Sequence, residues 1–265
     1  MQSKMTAEEG HAFWTTQART HGESPAASWS DRMVIEMEIR EILQWLEPGD
    51  KVLDVGCGNG YSTVRFAAAK AVRILGVDYV DEMIREAQRR GARMKKSLAG
   101  GVEFKKGDAR QLNETDNAFD KVVVIRVIIN VGKADVQLQA LRECSRVLKP
   151  GGLLLLSEAT MQGWHRLNEF RREWGLEEIP MPSFNRYLDE QDVIRAVADR
   201  LEIVKCVNFA STYYAGTRVL KPLLIKALGL AVDASNPEMC WNRWFAELPA
   251  WGDYGTQKLF VFRKT

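Results

Sequence analysis

Metal chemistry has little to work with in this chain of 265 residues. Its three histidines, His11, His21 and His165, and four cysteines, Cys57, Cys144, Cys206 and Cys240, are scattered, with no C-x-x-C pair. A structural or catalytic zinc needs several such ligands at close spacing, so no metal site is expected. Scattered thiols suit the reducing cytoplasm. Neither sign of charge is in excess: 37 Lys and Arg face 35 Asp and Glu, a net charge of +2. Nucleic acid is therefore not expected as the main partner. No membrane span is expected either. The apolar run at 219–232 is short and broken by Lys221, Pro222 and Lys226, and residues 1–30 are too polar for a secretory signal.

What remains is ordinary globular material, 46% hydrophobic and 27% charged, enough for one enlarged α/β domain or a core with a small cap. Lys51-Val52-Leu53-Asp54-Val55 reads as a buried strand, and a glycine-rich turn and an Ala-rich helix over 61–70 follow it. Residues 71–78 read as a second strand. Asp81 reads as the cap of a helix whose face carries Val80, Met83, Ile84 and Ala87. Residues 102–108 make a short strand, and the β-branched 119–125 a central one covered on both faces. A helix over 134–148 stops at Lys149-Pro150-Gly151-Gly152, where Leu153 to Leu156 return as a strand. Then come a helix over 189–199, a strand over 201–209, a long insertion and a last strand over 258–262. Such alternation predicts a Rossmann-like, doubly wound, mostly parallel sheet.

In such sheets ligands bind beyond the carboxyl ends of the strands, at the switch point. Asp54, Asp78 and Asp108 lie at such ends. Gly56, Gly58 and Gly60 let backbone approach a ligand and expose amide donors at a helix start. Asp78, roughly 20 residues past the turn, stands where an acid accepts from ribose hydroxyls. A dinucleotide would also use that acid. However, the third glycine comes one residue too early for G-x-G-x-x-G, which disfavours a dehydrogenase.

The run Val52-Leu53-Asp54-Val55-Gly56-Cys57-Gly58-Asn59-Gly60 closely resembles the first motif of class I S-adenosylmethionine-dependent methyltransferases. The likeness continues through Gly76-Val77-Asp78, Gly107-Asp108-Ala109, Phe119 to Val124 and Arg146 to Gly152, in the family's order and spacing. It implies S-adenosylmethionine as cofactor, an antiparallel last strand and helical additions forming a cap. The loop Gly56, Cys57, Gly58, Asn59 and Gly60 would lie under the methionyl part. Asp54 would orient the loop or the cofactor's ammonium, with a purely structural role equally open. Asp78 would bind the ribose, Tyr79 and Met83 would flank the adenine, and Asp108 with Ala109 would meet its amino group. Backbone around Ile125 and Arg126 would complete the amino-acid end. Cys57 reads as a filler rather than a nucleophile, and Arg146 and Lys149 as cations favouring a helix dipole.

Displacement at a sulfonium expels a neutral thioether, so alignment in a dry pocket matters most, and a base only if the acceptor must lose a proton. Many small-molecule members carry two histidines after the fourth strand. This chain has Ile129-Asn130 there, and Asn130 can position an acceptor but cannot take its proton. His165 is the first candidate base; His21, Tyr213 and Tyr214 are others. Residues 1–40 are expected to form a helical lid, and 41–265 a methyltransferase domain with cap insertions at about 160–188 and 210–256. The last insertion holds Trp241, Trp244, Phe245, Trp251 and Tyr254 with Arg218, Lys221 and Arg243. It reads as a small aromatic core, or as a flat-walled pocket whose cations meet a carboxylate or phosphate, with Arg218 and Lys221 alternatively a solvated face. The expected function is methyl transfer to a small molecule, with a sugar or nucleotide sugar as one acceptor class. A protein or RNA methyltransferase and a non-catalytic cofactor-binding module are the alternatives. The sequence sets no oligomeric state.

Overall fold

In the computed structural model, which describes residues 6–265, the β-branched and leucine-rich runs pair into one sheet. Its strands are β1 (Lys51–Val55), β2 (Arg73–Asp78), β3 (Gly101–Lys106), β4 (Phe119–Ile125), β5 (Leu148–Ala159), β6 (Leu201–Val207) and β7 (Gln257–Lys264). They lie in the order β3-β2-β1-β4-β5-β7-β6. The first five are parallel, and β7 runs antiparallel to both β5 and β6. Strand order reverses between β1 and β4, which puts the switch point at the glycine turn.

The helices are α1 (Ala7–His21), α2 (Arg32–Leu43), α3 (Tyr61–Ala69), α4 (Asp81–Met94), α5 (Ala134–Val147), α6 (Met161–Glu173), α7 (Glu190–Val197), α8 (Ser211–Tyr214), α9 (Lys221–Leu228) and α10 (Cys240–Glu247). Val122, Val123 and Val124 are fully buried because both faces of β4 are covered. On one face Val123 joins Ile35, Ile42 and Phe66 of α2 and α3; on the other Val122 and Val124 meet Leu141 and Cys144 of α5. Among the described residues no helix is long and apolar enough to cross a membrane, and no cluster of ligands could hold a metal ion. Residues 1–5 of the expected lid lie outside the described residues.

Three sequence expectations need correction. Asp81 does not cap α4: Val80 occupies the cap position, and Asp81, the first helical residue, pairs with Lys106 at 2.7 Å. Residues 149–152 do not separate helix from strand, because β5 already begins at Leu148 and they interrupt its register against β4. Arg218 and Lys221 are not a solvated face. Arg218 pairs with buried Asp31, and buried Lys221 donates to Asn242 Oδ1 at 2.9 Å and to the Asn236 carbonyl at 3.0 Å. They sit where a π-helical stretch (Ala215–Leu220) joins α8 to α9, and Gly216 there lets the Phe245 ring press against backbone. Trp241 and Phe245 pack at 5.1 Å, while Trp244 and Trp251 face solvent. Arg146 and Lys149 also do more than favour a dipole. Arg146 pairs with Glu143 and Asp116, and Lys149 with Asp120.

Candidate functional site

A sharp turn after β1 builds the floor of a cleft. Gly56 (φ +70°) and Gly58 (φ +54°) adopt left-handed backbone that other residues rarely take. A Cβ on Gly56 would stand 2.2 Å from Val127 Cγ2, so this backbone approach requires glycine. Nothing lies within 4 Å of the corresponding point on Gly58, which lines the cleft. The Gly56 and Cys57 amides donate to the Val77 carbonyl at 2.7 and 3.0 Å, tying the turn to β2. Gly60 precedes α3 and offers no side-chain cap, leaving first-turn amides available.

Two buried carboxylates flank this turn. Asp54 accepts from Thr63 Oγ1 at 2.5 Å, and burial, reinforced by the negative charges of Asp78 and Glu38, pushes its carboxyl up to about 7. Asp78 accepts from the Gly58 amide at 3.0 Å and the Val80 amide at 2.9 Å. Burial raises it to about 6 against the pull of those amides. Neither forms an ion pair among the described residues, although Arg126 lines the same cleft as Asp54. Cys57 is half-buried beside them; burial and both acids hold its thiol well above the usual range, which makes it a filler and not a nucleophile.

The side expected to take an adenine is roofed by α1. Tyr79 meets His11 edge-on at 5.4 Å, and Met83 is buried in a cluster with Trp14, Ala18 and Ala27. Phe13 stacks on Phe184 of the first cap insertion at 4.8 Å. Asp108, next to buried Ala109, is engaged by Arg110. The guanidinium donates to both carboxylate oxygens at 2.5–3.0 Å. Burial works to raise the Asp108 carboxyl, but Arg110 outweighs it and the net shift is downward. Nothing in the motif pattern announced Arg110 there.

Ile125 and Arg126 close the cleft from β4, joined by Ser28, Ile35, Tyr61 and Ser62, none of which the motif pattern singled out. The cleft encloses about 40 Å³. Asn130 sits on the turn after β4, donating to the Arg126 carbonyl at 2.7 Å, with its buried Oδ1 unbonded. His165 lies elsewhere: it is exposed on α6, its ring against Trp164 at 4.8 Å, and does not line the cleft. His21 ends α1 and is half-buried. Tyr213 and Tyr214 are buried, and desolvation raises both phenols. Tyr213 is held by Asp31 and Asn242 at 2.9 Å.

Residues 52–152 match the profile of a methyltransferase domain. The chain is 28% identical over 148 residues to 27-O-demethylrifamycin SV methyltransferase of Amycolatopsis mediterranei, covering 56% of this chain and 50% of that protein. It is 34% identical over 136 residues to demethylmenaquinone methyltransferase of Staphylococcus aureus, covering 50% and 49%. The chain thus spans about half the length of the curated relatives it matches. Among solved structures, the cyclase SpnF superimposes over 98% of this chain and 97% of its own, with a TM-score of 0.63 at 22% identity. That likeness is one of fold, and it is to an enzyme named as a [4+2]-cyclase.

Proposed function

We infer that this chain, whose residues 52–152 match a methyltransferase-domain profile, is a class I S-adenosylmethionine-dependent methyltransferase that transfers the cofactor's methyl group to a small-molecule acceptor. The observation that carries the reading is the pair of buried carboxylates, Asp54 and Asp78, on either side of a glycine turn and outside any ion pair among the described residues. An amino-acid ammonium suits the Asp54 side of such a site and ribose hydroxyls the Asp78 side; it is the glycine spacing, one residue short of G-x-G-x-x-G, that disfavours a dinucleotide. Gly58 leaves room for a ligand where a side chain would stand.

Bound there, the cofactor supplies an activated methyl whose departure needs no proton. This chain's residues would hold the rest. The amides of the glycine turn would underlie the methionyl portion, and Asp54, held by Thr63, would orient the turn or the ammonium. Asp78 would accept from the ribose, Tyr79 and Met83 would flank the adenine, and Ala109 with Asp108 would meet its amino group if Arg110 gave up its hold on that carboxylate. Asn130, whose unbonded Oδ1 is buried just behind the end of β4, would orient an acceptor only if that atom were uncovered. His165 would take a proton only from an acceptor that reaches the outer face of α6. Residues 6–40 would act as a lid, because Trp14, Ala18 and Ala27 cover Met83 and the cleft beneath is narrow. The insertions at 160–188 and 210–256 would shape the acceptor chamber.

Relatives acting on a demethylated rifamycin and on demethylmenaquinone support a small organic acceptor. A sugar or nucleotide sugar belongs in the same screen. The test is thermal-shift titration with S-adenosylhomocysteine and, in parallel, NAD, on wild type and Asp78→Ala. At about a hundredfold excess over Kd, binding adds about 2.7 kcal/mol. A rise with S-adenosylhomocysteine alone, lost in the variant, supports the reading. A rise with NAD alone, or none, sinks it.

A further inference from the structure

The apolar run at 219–232 is too short and too broken to span a bilayer, yet most of it lies on the surface of the cap. It forms α9 and the turn after it. Within α9 the ordinary arrangement is inverted: the one buried residue is Lys221, while Leu224 and Leu228 are exposed, Leu228 by 66%. Leu220, also exposed, precedes Leu224 and Leu228 at four-residue steps, so the three share one face of the helix. Past Gly229, where the helix ends, Leu230 and Val232 are exposed as well. Single leucines on a surface are ordinary, whereas contiguous ones mark a contact with another apolar phase.

Shape and charge together select a lipid surface as the occupant. A partner helix would read a periodic stripe, which must stop with α9 at Gly229. The exposed side chains instead continue through the irregular turn, which a fluid apolar layer accepts. From Ser211 to Val232 the chain carries three cations, Arg218, Lys221 and Lys226, and no acid. Lys226 is exposed and donates to the Gly175 carbonyl at 3.1 Å, next to exposed Trp174. Trp241 donates to the Gly216 carbonyl at 3.0 Å, and exposed Trp244 meets Trp241 at 6.2 Å. Arg243, exposed beside it, forms no ion pair among the described residues. The first acids after the run are engaged: Asp233 accepts from the Ser235 amide and hydroxyl at 2.8 and 2.7 Å, and Glu238 pairs with Arg32. Leucines bordered by indoles and cations are the chemistry of a bilayer interface with anionic headgroups.

We propose that α9 and the turn after it dock on the surface of a bilayer containing anionic lipid. The leucines enter the acyl boundary, and Lys226 and Arg243 meet the lipid phosphates. Exposed Glu173 and Glu247 temper that attraction, so the leucines supply most of the affinity. Vesicle binding needs neither cofactor nor acceptor, so this docking stands apart from the cofactor reading.

The test is flotation of the whole chain with vesicles of phosphatidylcholine, alone or mixed equally with phosphatidylglycerol. Quenching of tryptophan fluorescence by brominated lipid reports insertion, and light scattering reports the oligomeric state. The variants are Leu224→Ser/Leu228→Ser, Lys226→Gln/Arg243→Gln and, as a control exposed on β6, Val204→Ser. Wild type should float with the mixed vesicles and be quenched. The leucine variant should partition about tenfold or more weaker, with its melting midpoint and the Val204→Ser control unchanged. The charge variant should lose the preference for phosphatidylglycerol. Wild type that floats with neither vesicle overturns the docking, and so does binding that the leucine variant retains. A preference that survives the charge variant removes the role of Lys226 and Arg243. A wild-type dimer that the leucine variant dissolves, without vesicle binding, gives the face to a second copy and also overturns it.

Discussion

Asn59 donates from Nδ2 to the carbonyls of both Gly22 and Ser24 at 2.8 Å, so the glycine turn itself grips the segment that follows α1. Arg90 reinforces the grip, donating to the Asn59 carbonyl at 3.0 Å and to the Glu23 carbonyl. Asn59→Ala strands two carbonyls, and its expected cost is about 1–3 kcal/mol. If the segment is a lid, the variant should also release S-adenosylhomocysteine faster in stopped-flow and be cut more readily near residues 22–28. An unchanged release rate would show that the grip is structural only.

Asp54, Asp78 and Glu158 each bind a proton more tightly folded than unfolded, because burial raises them to about 7, about 6 and about 8. The native state therefore holds more protons than the unfolded state from their ordinary range up to those values, and stability falls as pH rises through that window. The ligand-free Tm should decline between about pH 5 and pH 8, and Asp54→Asn should flatten the decline. A Tm that rises over that interval would contradict these assignments. Binding of a cationic ligand beside the two acids should strengthen as they ionise.

Gly56→Ala and Gly58→Ala should separate fold from ligand. The first places a Cβ 2.2 Å from Val127 Cγ2 and should destabilise the fold, with Val127→Ala recovering part of the loss. The second meets no neighbour within 4 Å and should cost only the left-handed backbone penalty, about 1–2 kcal/mol. Its chief effect should be on S-adenosylhomocysteine affinity, read by calorimetry.

Asp31 joins the N-terminal region to the cap: its carboxylate receives Arg218 and the Tyr213 hydroxyl, and its side chain is 4% exposed. Removing one partner of such a pair leaves a buried charge behind. Arg218→Met should cost about 3–5 kcal/mol in denaturant melts. Asp31→Asn/Arg218→Met should recover part of that, and no recovery would place the cost in lost packing instead.

The sheet was legible from the sequence because its signals are local. A β-branched run, a glycine turn and an acid at each strand end are set by neighbours a few residues apart, and the parallel order follows from their alternation. Asp54, Gly56, Gly58 and Asp78 meet at the switch point for that reason. Contacts between distant segments left no such mark. Glu38 reaches Arg126 across 88 residues, and α1 covers Met83 from the other end of the Rossmann core. Even at short range, spacing did not reveal that Arg110 would turn back onto Asp108, because side-chain direction depends on what else is packed nearby. Helical phase likewise put His165 on the outer face of α6, away from the cleft that its place in the chain had suggested. Local chemistry in the sequence determined where a cofactor could rest; only tertiary packing decided which charges surround it, because those charges come from elements that share no sequence neighbourhood.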